Sequence, residues 1–219
     1  MDLTGAKDVT GVDEPDLVRL DRIAVHESVR LVGLAEEKDW ERDTPCAEWP
    51  LRRLVAHMAA QHHGFAAAAR GAGADMAHWR EPEEMSDPER TYRGAAMGVL
   101  AAFGQPGVLQ RKFALPELGV VVPGRIALGF HLVDYVAHAW DVAAALGVEP
   151  ELPTDVLDAA LGVALLVPTD PAGRGPGFAF APPLAVPPGT GSLDATLRLL
   201  GRDPDQWFLP KDQRNLPSV

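Results

Sequence analysis

Between Phe130 and Gly147 the chain reads FHLVDYVAHAWDVAAALG, an apolar helical segment interrupted by His131, Asp134, His138 and Asp141. The intervals of three, four and three put these four residues on one face of a helix. Imidazoles and carboxylates are donors for a divalent transition metal, and burying them unpaired in an apolar bundle is costly. Asp134 and His138, at i,i+4, can converge on one ion, whereas His131 and His138 stand roughly 10 Å apart along the axis and cannot easily share it. A third ligand must come from elsewhere. In LVAHMAAQHHGF, Leu54, His57, Gln61 and Phe65 form one row, which makes His57 the histidine best placed to face the core.

Two histidines and one carboxylate with an open fourth position form a catalytic rather than a structural zinc arrangement, and Ni²⁺ or Fe²⁺ would accept the same donors. Gln61, one turn beyond His57, could close that position. The same polar residues could instead make ordinary hydrogen bonds within a core. Asp141 could support a neighbouring histidine, or bond to backbone or to an arginine. His131 is the nearest candidate for a base or proton relay, so His131 and Asp141 are the catalytic candidates beside the ligands. His26, His62, His63 and His78 are expected at the surface. Cys46 is expected to be a small apolar plug beneath Trp49, and Trp40, Trp49 and Trp140 to be packing residues.

Apolar periodicity predicts helices over 14–38, from Pro50 to Gly71, over 88–103, over 123–146 ending at Gly147, and over 154–166. VLQRKFALPELGVVV is β-branched and suits a short hairpin or an extended crossover. After it, VPTDPAGRGPGFAFAPPLAVPPGTG is too rich in Pro and Gly for regular structure, and SLDATLRLLG reads as a last short helix. The expected fold class is all-α: a four-helix bundle over 1–168 with an irregular C-terminal extension, 169–219, packed on it.

The 219 residues are 47% hydrophobic and carry a net charge of −11. Such a chain can bury a sizeable core, and its charge disfavours nucleic acid and anionic membranes as partners. The acidic N-terminus shows no secretion signal, and a single cysteine suits a reducing compartment, so a cytoplasmic location is expected. Long apolar bundles often pair, which leaves a homodimer open.

TPCAEWPLRRLVAH, DYVAHAWDVAAALG and FAFAPPLAVPPGTGSLDATLRLLGRDPDQW together resemble the actinobacterial DinB-like metal-binding family related to mycothiol-dependent maleylpyruvate isomerase. The likeness runs from about Asp16 to Trp207. It implies a DinB-like four-helix bundle holding a divalent metal, usually zinc, through His57, Asp134 and His138. The carboxylate is Asp here where the isomerases tend to carry Glu. The resemblance further implies an isomerase or thiol transferase that uses a low-molecular-weight thiol such as mycothiol on a small electrophilic substrate. The alternatives are a thiol-independent metal-dependent hydrolase or isomerase of secondary metabolism, and a metal- or small-molecule-binding protein without turnover.

Overall fold

A computed structural model describes residues 14–46, 49–175 and 179–207. The acidic N-terminal stretch and the tail beyond Trp207 lie outside them. Four long helices form the body: α1 (Glu14–Val32), α2 (Leu51–Ala69), α3 (Pro88–Phe103) and α4 (Gly124–Leu146). Helix α1 packs on α4 and α3, and α2 on α3 and α4, so the all-α bundle expected from periodicity is the fold observed. Helix α4 is apolar nearly all round because α1, α2 and the following helix α5 (Thr154–Ala164) all cover it.

Local signals set the helix ends. Helix α1 stops at Val32 rather than at 38. Gly33 follows it, and then Glu36 and Asp39 close a capping box, the Glu36 N–H donating to Asp39 Oδ2 at 2.9 Å, which starts a separate turn over Glu37–Asp39. Asp87 caps α3 by accepting from the Arg90 N–H, with Pro88 at the first helical position. Gly147 adopts φ 72° and returns its N–H to the last carbonyls of α4. Of the two readings left open for the β-branched stretch, the hairpin is correct: β1 (Lys112–Leu115) pairs antiparallel with β2 (Val120–Pro123), Phe113 opposite Val122.

The turn after α2 matters most for the site. A Cβ on Gly64 would lie 2.2 Å from the Trp79 ring, so only glycine there lets that indole lie flat on α2. The Trp79 Nε1–H also donates to the Gly73 carbonyl at 2.8 Å. These two contacts fix the Met76–Trp79 turn and hence the residues that follow it.

Helix α6 (Ser192–Leu199) and the four-residue α7 (Pro204–Trp207) follow the Pro/Gly-rich stretch. Leu197 and Leu200 are buried against the bundle, and the Trp207 Nε1–H donates to the Ala144 carbonyl. Buried Arg174 gathers the irregular segment by donating to the carbonyls of Pro168, Ala181 and Leu199. Among the described residues no helix is long and apolar enough to cross a membrane.

Candidate metal centre

Three of the residues singled out by spacing meet at one edge of α4. His138 and Asp134 share its face, with His138 Nε2 3.4 Å from Asp134 Oδ1. Helix α2 brings His57 alongside, its ring centroid 5.7 Å from that of His138. His57 and Asp134 keep 24% and 23% of their side-chain surface exposed, whereas His138 keeps 4%. The trio is therefore anchored in the core on one side and reachable from solvent on the other.

Each imidazole has a carboxylate behind it. Asp141 Oδ2 lies 2.9 Å from His138 Nδ1, and Glu81 Oε1 lies 3.5 Å from His57 Nδ1. A carboxylate on Nδ1 selects the tautomer with its lone pair on Nε2 and fixes the ring's direction, as second partners of metal-bound histidines do. The donor types of His57, Asp134 and His138 suit a divalent ion, but their ligand atoms do not all lie within 4.8 Å of one another, as those of Cys46, His138 and Asp141 do. Gln61 does not take part: its Nε2–H donates to Glu117 Oε2 at 2.8 Å, away from the trio.

Asp141 is itself held. The Arg202 guanidinium, 8% exposed, donates through Nε and Nη2 to both Asp141 oxygens at 2.7–3.1 Å. Burial alone would raise the Asp141 carboxyl, but Arg202 and His138 hold it below the ordinary carboxylate range. Arg202 is raised in turn, Asp141 outweighing the cost of burial. Cys46 Sγ lies 4.0 Å from Arg202 Nη2, and burial pushes this thiol up to about 12, so it is not a ready thiolate. Cys46, His138 and Asp141 have ligand atoms within 4.8 Å of one another. A cation there would sit beside the Arg202 charge and compete for a carboxylate already filled by it. The group serves better to orient His138 than to hold an ion.

His131 joins a different cluster. Its Nδ1 lies 2.6 Å from Asp21 Oδ1 on α1, and its Nε2 lies 3.2 Å from His62 Nδ1 on α2. His62 is fully buried, correcting the expectation that it lies at the surface, and it stacks on Tyr135 with centroids 4.0 Å apart. Helices α3 and α4 cover His62 through Tyr92, His131 and Tyr135, which periodicity on α2 alone could not reveal. Burial first, then His131 and His63, press His62 well below its ordinary value, so it is neutral.

Sequence reasoning also missed Glu81, which has no periodic signature in WREPEE, and Arg202, which stands in the LLGRDP segment with no signal of its partner.

Comparisons with known proteins bear on the family and the fold. Two uncharacterized proteins from two strains of Mycobacterium tuberculosis, MT0763 and Rv0738, are each 32% identical over 168 residues, covering 73% of this chain and 82% of the relative. Among solved structures, a histidine-to-alanine mutant of the mycothiol-dependent maleylpyruvate isomerase superposes with a TM-score of 0.57 at 12% identity. The isomerase itself gives 0.52 at 13%. Each match covers 73% of this chain and 70% of the other, and at such identities it speaks for a shared fold. The sequence model of the mycothiol maleylpyruvate isomerase N-terminal domain matches residues 22–143, a span that holds His57, Asp134 and His138, and the chain belongs to that family.

Proposed function

We propose that the protein is a metal-dependent enzyme that uses a low-molecular-weight thiol, such as mycothiol, to isomerise or S-modify a small electrophilic substrate. The observation that carries this reading is the pair of carboxylate-backed histidines, with His57 and Asp134 partly open to solvent beside buried His138. In this reading His57, Asp134 and His138 hold the ion, zinc by preference, with nickel or iron chemically acceptable. When bound, the ion supplies Lewis acidity and favours the thiolate form of an incoming thiol. The thiolate adds to an activated double bond and leaves a carbanion; rotation and elimination expel the same thiolate and give the isomer, whereas protonation of the carbanion, by the proton the thiol gave up, gives the adduct.

The chain's own part is positional. Asp141 accepts from His138 Nδ1–H and fixes that ring, and Arg202 keeps Asp141 ionised and in place. Residues 1–168 would then carry the ligands, and 169–219 would complete the site through Arg202. His131 acts in the core, at the Asp21–His62 contact, rather than as a base. A non-catalytic, closed metal shell is the weaker reading, since Gln61 is committed to Glu117.

The test is elemental analysis of wild type beside His138→Ala, followed by assay with mycothiol and an electrophilic alkene, maleylpyruvate first. About one ion per chain in the wild type, lost in the variant, together with thiol-dependent turnover, supports the reading. Metal without thiol dependence favours hydrolase or lyase chemistry, and no metal after reconstitution overturns it.

A further inference from the structure

A separate cavity of about 330 Å³ opens between α2, α3 and the turn at Met76–Trp79, lined by His63, Arg70, His78 and Arg80 over a floor of alanines and Gly98. No Asp or Glu lines it. The carboxylate of the adjoining turn, Asp75, is occupied in accepting the Ala77 N–H at 2.9 Å. Arg70 reaches across to the Gly98 carbonyl at 3.3 Å, and neither Arg70 nor Arg80 pairs with a carboxylate among the described residues.

That gathering runs against the rest of the surface. The net charge is −11, and several arginines elsewhere find acids: Arg19 faces Asp155, Arg30 faces Glu27, Arg42 faces Asp39 and Arg198 faces Asp205; Arg111 and Arg174 instead donate to backbone carbonyls. In this concavity two guanidiniums and two imidazoles converge with no carboxylate in the lining. Burial first, and then His78, hold His63 below its ordinary value, as expected where two imidazoles share a field with no acid to relieve it. Guanidinium forks match the geometry of carboxylate and phosphate, and the cavity stands at the small end of ligand sites. The small residues of the floor let a compact ligand approach the helix backbones.

We propose that this cleft binds a small organic anion bearing a carboxylate or phosphate group, held by Arg70 and Arg80 with His63 and His78 beside it. The site is independent of the metal reading, because none of these four residues belongs to the trio or its carboxylate partners.

The full-length, metal-loaded protein is titrated with sodium phosphate, and separately with malonate, at constant ionic strength set by chloride. Histidine C–H resonances and calorimetry are the readouts. Saturable shifts at His63 and His78 with at least one probe are expected, with Kd roughly millimolar or tighter. Arg80→Gln should weaken binding roughly tenfold, Arg70→Gln with Arg80→Gln should abolish it, and Arg90→Gln on the exposed face of α3 should leave it unchanged. A response to malonate alone or to phosphate alone names the preferred group and supports the site. Non-saturating drift, affinity unchanged by Arg80→Gln, or shifts confined to His57 would overturn the proposal. Arg80 is exposed, so thermal melts of that variant should match the wild type and keep the result interpretable.

Discussion

Among the described residues two histidine–carboxylate clusters stand on the same pair of helices, and they have opposite characters. Around His138, every imidazole Nδ1 faces a carboxylate while the Nε2 side opens toward a partly exposed edge. Around His131, the polar atoms turn inward: Asp21 and His131 are fully enclosed, His62 is neutral, and Phe65, Phe103 and Tyr135 wall them in. The first arrangement has donor capacity to spare and a route to solvent. The second turns inward and joins α1, α2 and α4 at the level of Tyr135, with Asp21 Oδ2 and His62 Nε2 left buried without a hydrogen-bond partner among the described residues. Similar residues at similar spacing thus give a candidate reaction centre in one place and a polar core tie in the other.

That contrast can be broken experimentally, and the largest effect should come from Arg202. Replacing it with Met leaves Asp141 a buried carboxylate with only its His138 contact, which should cost about 3–5 kcal/mol in denaturant melts, against a smaller loss when Asp141 is changed to Asn in the same chain. Next, Gly64→Val forces the Trp79 ring off α2 and should cost about 1–3 kcal/mol by overpacking, read as a lower Tm.

Asp141→Asn alone should weaken metal affinity about 10–100-fold in competitive chelator titrations, with the fold retained by circular dichroism. Glu81→Gln should give the smaller loss of the two orienting carboxylates, below about tenfold, because its contact is longer and more exposed than that of Asp141. Equal losses from both would end the distinction between a buried and a peripheral brace.

The His131 cluster should show itself through pH instead. His62 is held neutral in the fold, so below its ordinary pKa the unfolded chain binds a proton that the native state refuses. Stability is therefore level above about pH 6.5 and falls as pH drops below it, by at most about 1.4 kcal/mol per unit from this group. His62→Phe should be less stable at neutral pH, having left His131 Nε2 without its partner, yet flatter between pH 6.5 and 5 in urea melts. A slope identical to wild type would show that His62 is not the titrating group.

Much of the fold was legible because its signals are local. Helix periods, Pro88, the glycine at 147 and the break from apolar helix to Pro/Gly-rich chain each act within a few residues. The same locality explains the errors. The first helix reads as continuing to Lys38 on apolar spacing, but Gly33 and the Glu36–Asp39 box compete with that spacing over three residues and prevail. His62 reads as exposed because its own helix gives no sign that Tyr92 on α3 and Tyr135 on α4 will cover it.

What the sequence determined by itself was the set of side chains able to share a helix face: Asp134 with His138 at i,i+4, and His57 on the inward row of α2. What only the tertiary structure decided was who stands behind them. Arg202 meets Asp141 across 61 residues of chain, Asp21 meets His131 across 110, and Glu81 reaches His57 from a turn fixed by the Gly64–Trp79 contact. Periodicity reports the direction of a side chain relative to its own backbone, whereas charge pairing and burial depend on which other segment arrives there.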